Sequence, residues 1–151
     1  MHVFIAGIMQ GDRRDDQIDS QNYRLLITHA LKKHFPNTQI TDPWALNPNS
    51  VNYTAEQARH TFLTMTELAA EVDLLIAYLP KASMGTAMEM WQAYKAGVPI
   101  IAVTPLVHHW AVRFTANAIV SDLDELVKMM GDGRLAQLLL QSQVDAQPDG
   151  N

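Results

Sequence analysis

A serine, a glycine and a glutamate stand close together in the segment Pro80-Lys81-Ala82-Ser83-Met84-Gly85-Thr86-Ala87-Met88-Glu89. Glu89 is the candidate catalytic residue: a carboxylate that captures an electron-poor carbon splits one hard displacement into two easier ones. The segment follows an apolar run and leads into a helical pattern, so free backbone N–H groups there can hold a phosphate or a sugar hydroxyl. The macrodipole at a helix start favours an ionised carboxylate, whereas partial burial in a crevice raises its pKa and keeps it reactive. The same residues admit a plainer role. Thr86 to Glu89 is also a T-x-x-E capping box, in which the glutamate only closes a helix end.

Other candidates carry the same double reading. The loop Gly7-Ile8-Met9-Gln10-Gly11-Asp12-Arg13 offers Gly7, Gln10 and Asp12 to a ligand or forms a solvated turn. It lacks the third glycine of a dinucleotide fingerprint, and there is no GxxxxGK[ST] phosphate loop. Asp42 hydrogen-bonds a ligand or starts an Asx turn. Tyr23 reaches a crevice or packs in the core. Among six histidines there is no HExxH and no metal-ligand spacing, but His109, beside Trp110, stands where it can meet a base or sugar. No GxSxG elbow and no cysteine are present, which removes serine-hydrolase and thiolate chemistry.

The elements that must position these residues alternate between short apolar runs and longer helical periods, the pattern of a parallel sheet covered on both faces. Val3–Ala6, Thr38–Thr41, Leu74–Leu79, Pro99–Val103 and Ala118–Val120 read as five strands. Tyr23, Leu26, Ile27, Ala30 and Leu31 mark a first helix, capped by Asp19 or Ser20. Trp44–Tyr53 reads as a long functional loop. Thr54 and Gln57 form a capping box before the stripe Ala58, Phe62, Met65, Ala69 and Val72. Thr86–Ala96 closes at Gly97, Ser121 caps Asp122–Met130 with Gly131 as its end, and Leu135–Leu140 adds a short helix. Ligands of open α/β sheets bind outside the carboxyl ends of strands, so the loops after Ala6, Thr41, Leu79 and Val103 compete for the site.

Composition bounds the function. The 151 residues suit one domain, expected over 1–143 with a flexible tail at 144–151. Apolar residues make up 48% and charged residues 18%, and 11 Lys+Arg against 16 Asp+Glu give −5, which argues against disorder and against a nucleic-acid partner. The opening MHVFIAGIMQ has no basic leader, and no run approaches roughly 18 uninterrupted apolar residues, so a soluble cytoplasmic protein without membrane partners is expected.

Four motifs in order, Phe4-Ile5-Ala6-Gly7 with its polar loop, Val72-Asp73-Leu74-Leu75-Ile76-Ala77, Ser83-x-Gly85-x-x-x-Glu89 and Ala93-x-x-Ala96-Gly97-x-Pro99, resemble the nucleoside 2-deoxyribosyltransferases and the related 2′-deoxynucleoside 5′-monophosphate N-hydrolases. The resemblance spans roughly Val3 to Met130. It implies a three-layer, flavodoxin-like (Rossmann-like) α/β fold with a mostly parallel five-stranded sheet and helices on both faces. It implies that Glu89 attacks the anomeric carbon to form a covalent deoxyribosyl-enzyme, which a second base resolves by transfer and water by hydrolysis. Ser83 and Gly85 would hold the 5′ end, with Gly7, Gln10, Asp12 and Asp42, and also Tyr23 and His109, around sugar or base. The implied partners are a 2′-deoxynucleoside or its 5′-monophosphate and a free nucleobase, as in base salvage. No cofactor or metal is expected, and a neighbouring subunit of a homo-oligomer completes each site. Two positions depart from the family pattern. Met65 stands where a base-side aspartate is usual, leaving Thr64, Thr66, Glu67 or Asp42 to replace it. Ser83 stands where transferases often carry an aspartate, and the partner subunit's asparagine falls near His109.

Overall fold

The strands are fully apolar over most of their length because each of the central ones is covered on both faces. The computed structural model describes residues 1–11, 13–15 and 17–145. The elements in chain order are β1 (His2–Gly7), α1 (Asn22–His34), β2 (Gln39–Thr41), α2 (Pro43–Leu46), a 3-10 turn (Ser50–Asn52), α3 (Ala55–Leu68), β3 (Leu74–Tyr78), α4 (Met84–Lys95), β4 (Ile100–Val103), α5 (Trp110–Arg113), β5 (Ala118–Val120), α6 (Leu123–Gly131) and α7 (Arg134–Asp145). All four strand pairings are parallel, and the sheet order is β2-β1-β3-β4-β5. This is the flavodoxin-like order, and the expected three-layer α/β architecture is the one observed.

Alternation along the strands builds two cores. Val3 and Ile5 of β1, Leu74 and Ile76 of β3, and Ile101 and Val103 of β4 face Ile27 and Leu31 of α1 and Leu126 of α6. Phe4, Ala6, Leu75, Ala77, Ile100 and Ala102 face the other way, against Met90 and Ala93 of α4 and Val112 of α5. At about 25 cal/mol per Å² of apolar surface removed from water, these two layers dominate the stability.

The local signals held in part. Thr54 and Gln57 form the reciprocal capping box at the start of α3. Gly97 (φ +74°) ends α4 in a Schellman motif, with Gly97 N–H donating to Tyr94 O at 3.1 Å and Val98 N–H to Ala93 O at 2.9 Å. Other expectations are corrected. Asp19 does not cap α1, whose cap position is Gln21, because its carboxylate is taken by Lys81 at 3.3 Å and Arg13 at 3.6 Å. The cap of α6 is Asp122, which accepts from Glu125 N–H at 2.9 Å, not Ser121. Gly131 is the last residue of α6, as expected, while the left-handed turn falls two residues on, at Gly133 (φ +90°). The helix expected over Leu135–Leu140 runs on to Asp145, past residue 143, because Leu135, Leu138 and Leu139 pack on the first core at helical spacing. Residues 146–151 and Asp12 lie outside the described residues. Among the described residues no helix is long and apolar enough to cross a membrane.

Candidate active site

Strand order reverses between β1 and β3, where α1 and α4 leave the sheet on opposite faces and their connecting loops part. A cavity of about 610 Å³ opens there, lined by Gly7, Gln10, Ser83, Gly85 and Glu89 together with the apolar side chains of Trp44, Val51, Tyr53, Phe62, Met65 and Met88. Its size is that of a small-molecule site. Gly7 is required by packing: a Cβ added there would lie 2.3 Å from the Tyr23 hydroxyl oxygen and 2.7 Å from its ring. Trp44 reaches the cavity because Asp42 caps α2, accepting from Trp44 N–H at 3.0 Å with Pro43 in the first turn. The long Trp44–Tyr53 segment is therefore not a featureless loop but two short helical turns that form one wall. The stripe on α3 also turns out otherwise than expected. Ala58, Phe62 and Met65 line the cavity, Phe62 being 44% exposed, and only Thr66 of this helix is buried.

Glu89 is not a cap. Ser83 occupies the cap position of α4, its Oγ accepting from Thr86 N–H at 3.4 Å and lying 3.0 Å from the Thr86 hydroxyl. The T-x-x-E capping box is thus not formed, and Glu89 falls in the second turn, beyond the reach of most of the macrodipole. Among the described residues none donates a hydrogen bond to its carboxylate. Burial drives its pKa up to about 8, against an opposing pull from the charge of Arg24. An unpaired carboxyl beside a cavity is poised for a ligand.

Arg24 is the residue that the sequence pattern did not single out. It is 2% exposed; Nη1 donates to Ile5 O and Asp42 Oδ1, both at 2.8 Å, Nε to Gln21 Oε1 at 2.7 Å, and Nη2 to Gly7 O at 3.4 Å. The signal was present as a charge inside the apolar stripe of α1, followed by a carboxylate at the end of β2.

The expected site residues divide. Gly7, Gln10, Ser83, Gly85 and Glu89 meet at the cavity. Tyr23 packs beneath Gly7 instead, 4% exposed, its hydroxyl donating to Ile8 O at 3.2 Å and its ring stacked on Tyr78 at 4.3 Å. Burial pushes its phenol pKa well above the ordinary value. Asp42 serves as cap and ion-pair partner and does not line the cavity. His109 lines a separate groove of about 380 Å³ that shares only Gly11, Ser83 and Met84 with the first. Of the possible replacements for an acid at Met65, Thr66 donates to Phe62 O at 2.8 Å, and Thr64, Glu67 and Asp42 are absent from the cavity wall. Among the described residues no three His, Asp or Glu side chains converge as a metal site.

The fold has solved counterparts. A 2-deoxyribosyltransferase from Bacillus psychrosaccharolyticus superposes with a TM-score of 0.64 at 13% identity, covering 84% of this chain and 90% of that one. A conserved protein from Enterococcus faecalis gives 0.60 at 17%, covering 87% and 98%. The sugar isomerase domain of an RpiR transcription factor from Sphaerobacter thermophilus gives 0.52 at 16%, covering 97% and 79%. The likeness is one of fold. No family model and no curated protein matches the sequence.

Two outcomes test this geometry. Gly7→Ala is expected to push Tyr23 off its stack on Tyr78 and lower stability by about 1–3 kcal/mol, read as a fall in the denaturation midpoint. Glu89→Gln reports the half-buried carboxyl on the cavity wall. Because its folded pKa is raised to about 8, the cost of ionising it in place grows from about pH 4.5 up to that value. Glu89→Gln is therefore expected to melt higher than the parent at pH 9, with the gap closing towards pH 5; an equal gap at both would contradict the burial of this group.

Proposed function

We propose that the chain cleaves the N-glycosidic bond of a 2′-deoxynucleoside and transfers the 2-deoxyribosyl group to a second nucleobase through a covalent ester on Glu89. The observation that carries this reading is the Glu89 carboxyl, unpaired on the wall of a cavity of about 610 Å³. The fold shared with a 2-deoxyribosyltransferase supports it. In the reaction a Glu89 oxygen forms a bond to C1′ as the C1′–N bond breaks, and the electron pair ends on the departing base, which takes a proton from water. A nitrogen of the incoming base then attacks C1′, gives its N–H proton to water and releases the carboxylate. The flat apolar surfaces of Trp44, Tyr53, Phe62 and Met65 suit a base. Ser83 and Gly85 take the 5′ end, and Gly7 and Gln10 the sugar or base edge.

One position favours a second reading, hydrolysis of a 2′-deoxynucleoside 5′-monophosphate. Ser83, where a carboxylate would repel phosphate, is neutral and stands on the cavity wall. We propose in addition that the chain works as a dimer or larger assembly. Met84, Met88 and Trp91 recur along one stripe of α4 at 83%, 45% and 52% exposure, and two of them also line the cavity.

Intact mass after brief exposure to a slow 2-fluoro-substituted nucleoside tests the mechanism. An added sugar on Glu89 is expected, and its absence from the parent, or its presence in Glu89→Ala, would overturn the nucleophile. With deoxyadenosine and a second free base, a new nucleoside marks transfer, free base alone marks hydrolysis, and no change across nucleosides and monophosphates rejects both. Since the attacking carboxyl must be ionised, kcat/KM is expected to rise with pH through a midpoint near about 8. For the assembly, sedimentation is expected to give a dimer or larger species that Met84→Lys with Trp91→Lys dissociates; a monomer at all concentrations would reject it.

A further inference from the structure

The wall that the segment after β2 gives the cavity is not apolar throughout. Asn47, the residue that closes α2, and Tyr53, which follows the 3-10 turn, both line the cavity, and the Tyr53 hydroxyl donates to Asn47 Oδ1 at 3.3 Å. The main chain decides which way this bond runs. Pro43 O accepts from Asn47 N–H at 3.1 Å and from Asn47 Nδ2 at 2.9 Å. A carbonyl only accepts, so the side-chain atom facing it must be the –NH₂ and the atom facing Tyr53 must be the amide oxygen. That oxygen only accepts as well, so the single proton of the phenol is committed to it. The frame that holds the pair is continuous: Asn47 N–H also reaches Trp44 O at 3.3 Å, Asn47 O accepts from Ser50 N–H at 3.0 Å, and Ser50 O accepts from Tyr53 N–H at 3.2 Å.

The same count fixes what the pair has left to offer a ligand: lone pairs on the Tyr53 oxygen and the second N–H of the Asn47 amide. We propose that Tyr53 and Asn47 read the edge of the base. The Tyr53 oxygen accepts from an N–H of the base, the second amide N–H of Asn47 donates to an acceptor on the same edge, and a base with no N–H to give is disfavoured because it brings lone pairs or a methyl group against the Tyr53 oxygen. The inference rests on the proposed function, from which it takes a nucleobase as the ligand, and deepens it by naming the class of base. A tyrosine hydroxyl whose proton is free to turn serves donor and acceptor alike and discriminates little. Here the proton is held from Pro43 through Asn47, so the hydroxyl is selective, and a site built to pair with a donor rejects the analogue that lacks it. An exocyclic amine and a ring N–H supply the same chemistry at this point.

Calorimetric binding to the full chain carrying Glu89→Gln, which leaves the ligands intact, tests the readout without turnover. 2′-Deoxyadenosine and purine 2′-deoxyriboside differ by the amine, and 2′-deoxyinosine and its 1-methyl derivative by the ring N–H. In at least one of these pairs the ligand with the donor is expected to bind about tenfold more tightly, and that pair identifies the donor. Tyr53→Phe in the same background is expected to close the gap by weakening only the ligand that has the donor, and the unchanged affinity of the other shows that the cavity is intact. Equal affinities within both pairs, a gap that survives Tyr53→Phe, or a variant that weakens all four ligands alike, as a purely structural tyrosine would, each overturn the proposal. Binding by none of the four sinks the proposed function and the inference with it. Selective binding with no sugar adduct on the parent sinks the nucleophile and leaves the readout standing.

Discussion

The constraint on which this molecule depends is that its three middle strands must be covered on both faces. Strands as apolar as Leu74–Tyr78 and Ile100–Val103 cannot leave one side to water, so helices cover both faces, α1, α6 and α7 one and α4 and α5 the other. With the order β2-β1-β3-β4-β5, α1 covers one face and α4 the other, so the change of side falls between β1 and β3. Two chains leaving neighbouring strand ends in opposite directions cannot fill the space between them. The cavity is the gap left by that topology, and the loops around it are free to carry chemistry because the sheet already carries the stability.

Polar groups at the strand ends then have to be satisfied where little water reaches. The carbonyls of Ile5 and Gly7 find the guanidinium of Arg24, which in turn requires the carboxylate of Asp42. Burying such a pair costs much in desolvation, and it persists where hydrogen bonds meet most of its donors. Among the described residues Glu89 has no such partner, and its carboxyl pKa is raised chiefly by desolvation. The same end of the sheet thus carries a satisfied charge pair and, on the cavity wall, an acid for which no described residue provides a partner.

Much of this was legible in the residues. The two-residue alternation and the apolar runs identify the five strands, and Thr54 with Gln57 announces α3 without ambiguity, because a capping box is a local contact that no tertiary packing has to supply. The site was legible as far as Gly7, Gln10, Ser83, Gly85 and Glu89 share the two loops nearest the switch point. Misreadings arose where one pattern serves two purposes. An apolar stripe at 3.6 spacing does not tell whether Phe62 and Met65 face a core or an empty cleft. A T-x-x-E spacing does not tell whether the helix begins at Thr86 or three residues earlier, at Ser83. Arg24 escaped notice because its neighbours at the same spacing are apolar, and only the fold brings Asp42 against it.

The thin anchoring of α3 has a thermodynamic corollary. Of its fourteen residues only Thr66 is buried, and Leu68 at its end packs on the second core, whereas the central strands are covered on both sides. Its local unfolding free energy therefore lies well below that of the sheet, and amide protons along it exchange sooner than those of β1 and β3. The wall that α3 gives the cavity is less costly to deform than the sheet, so the cleft can adjust its width while Glu89 on α4 stays fixed to the rigid frame.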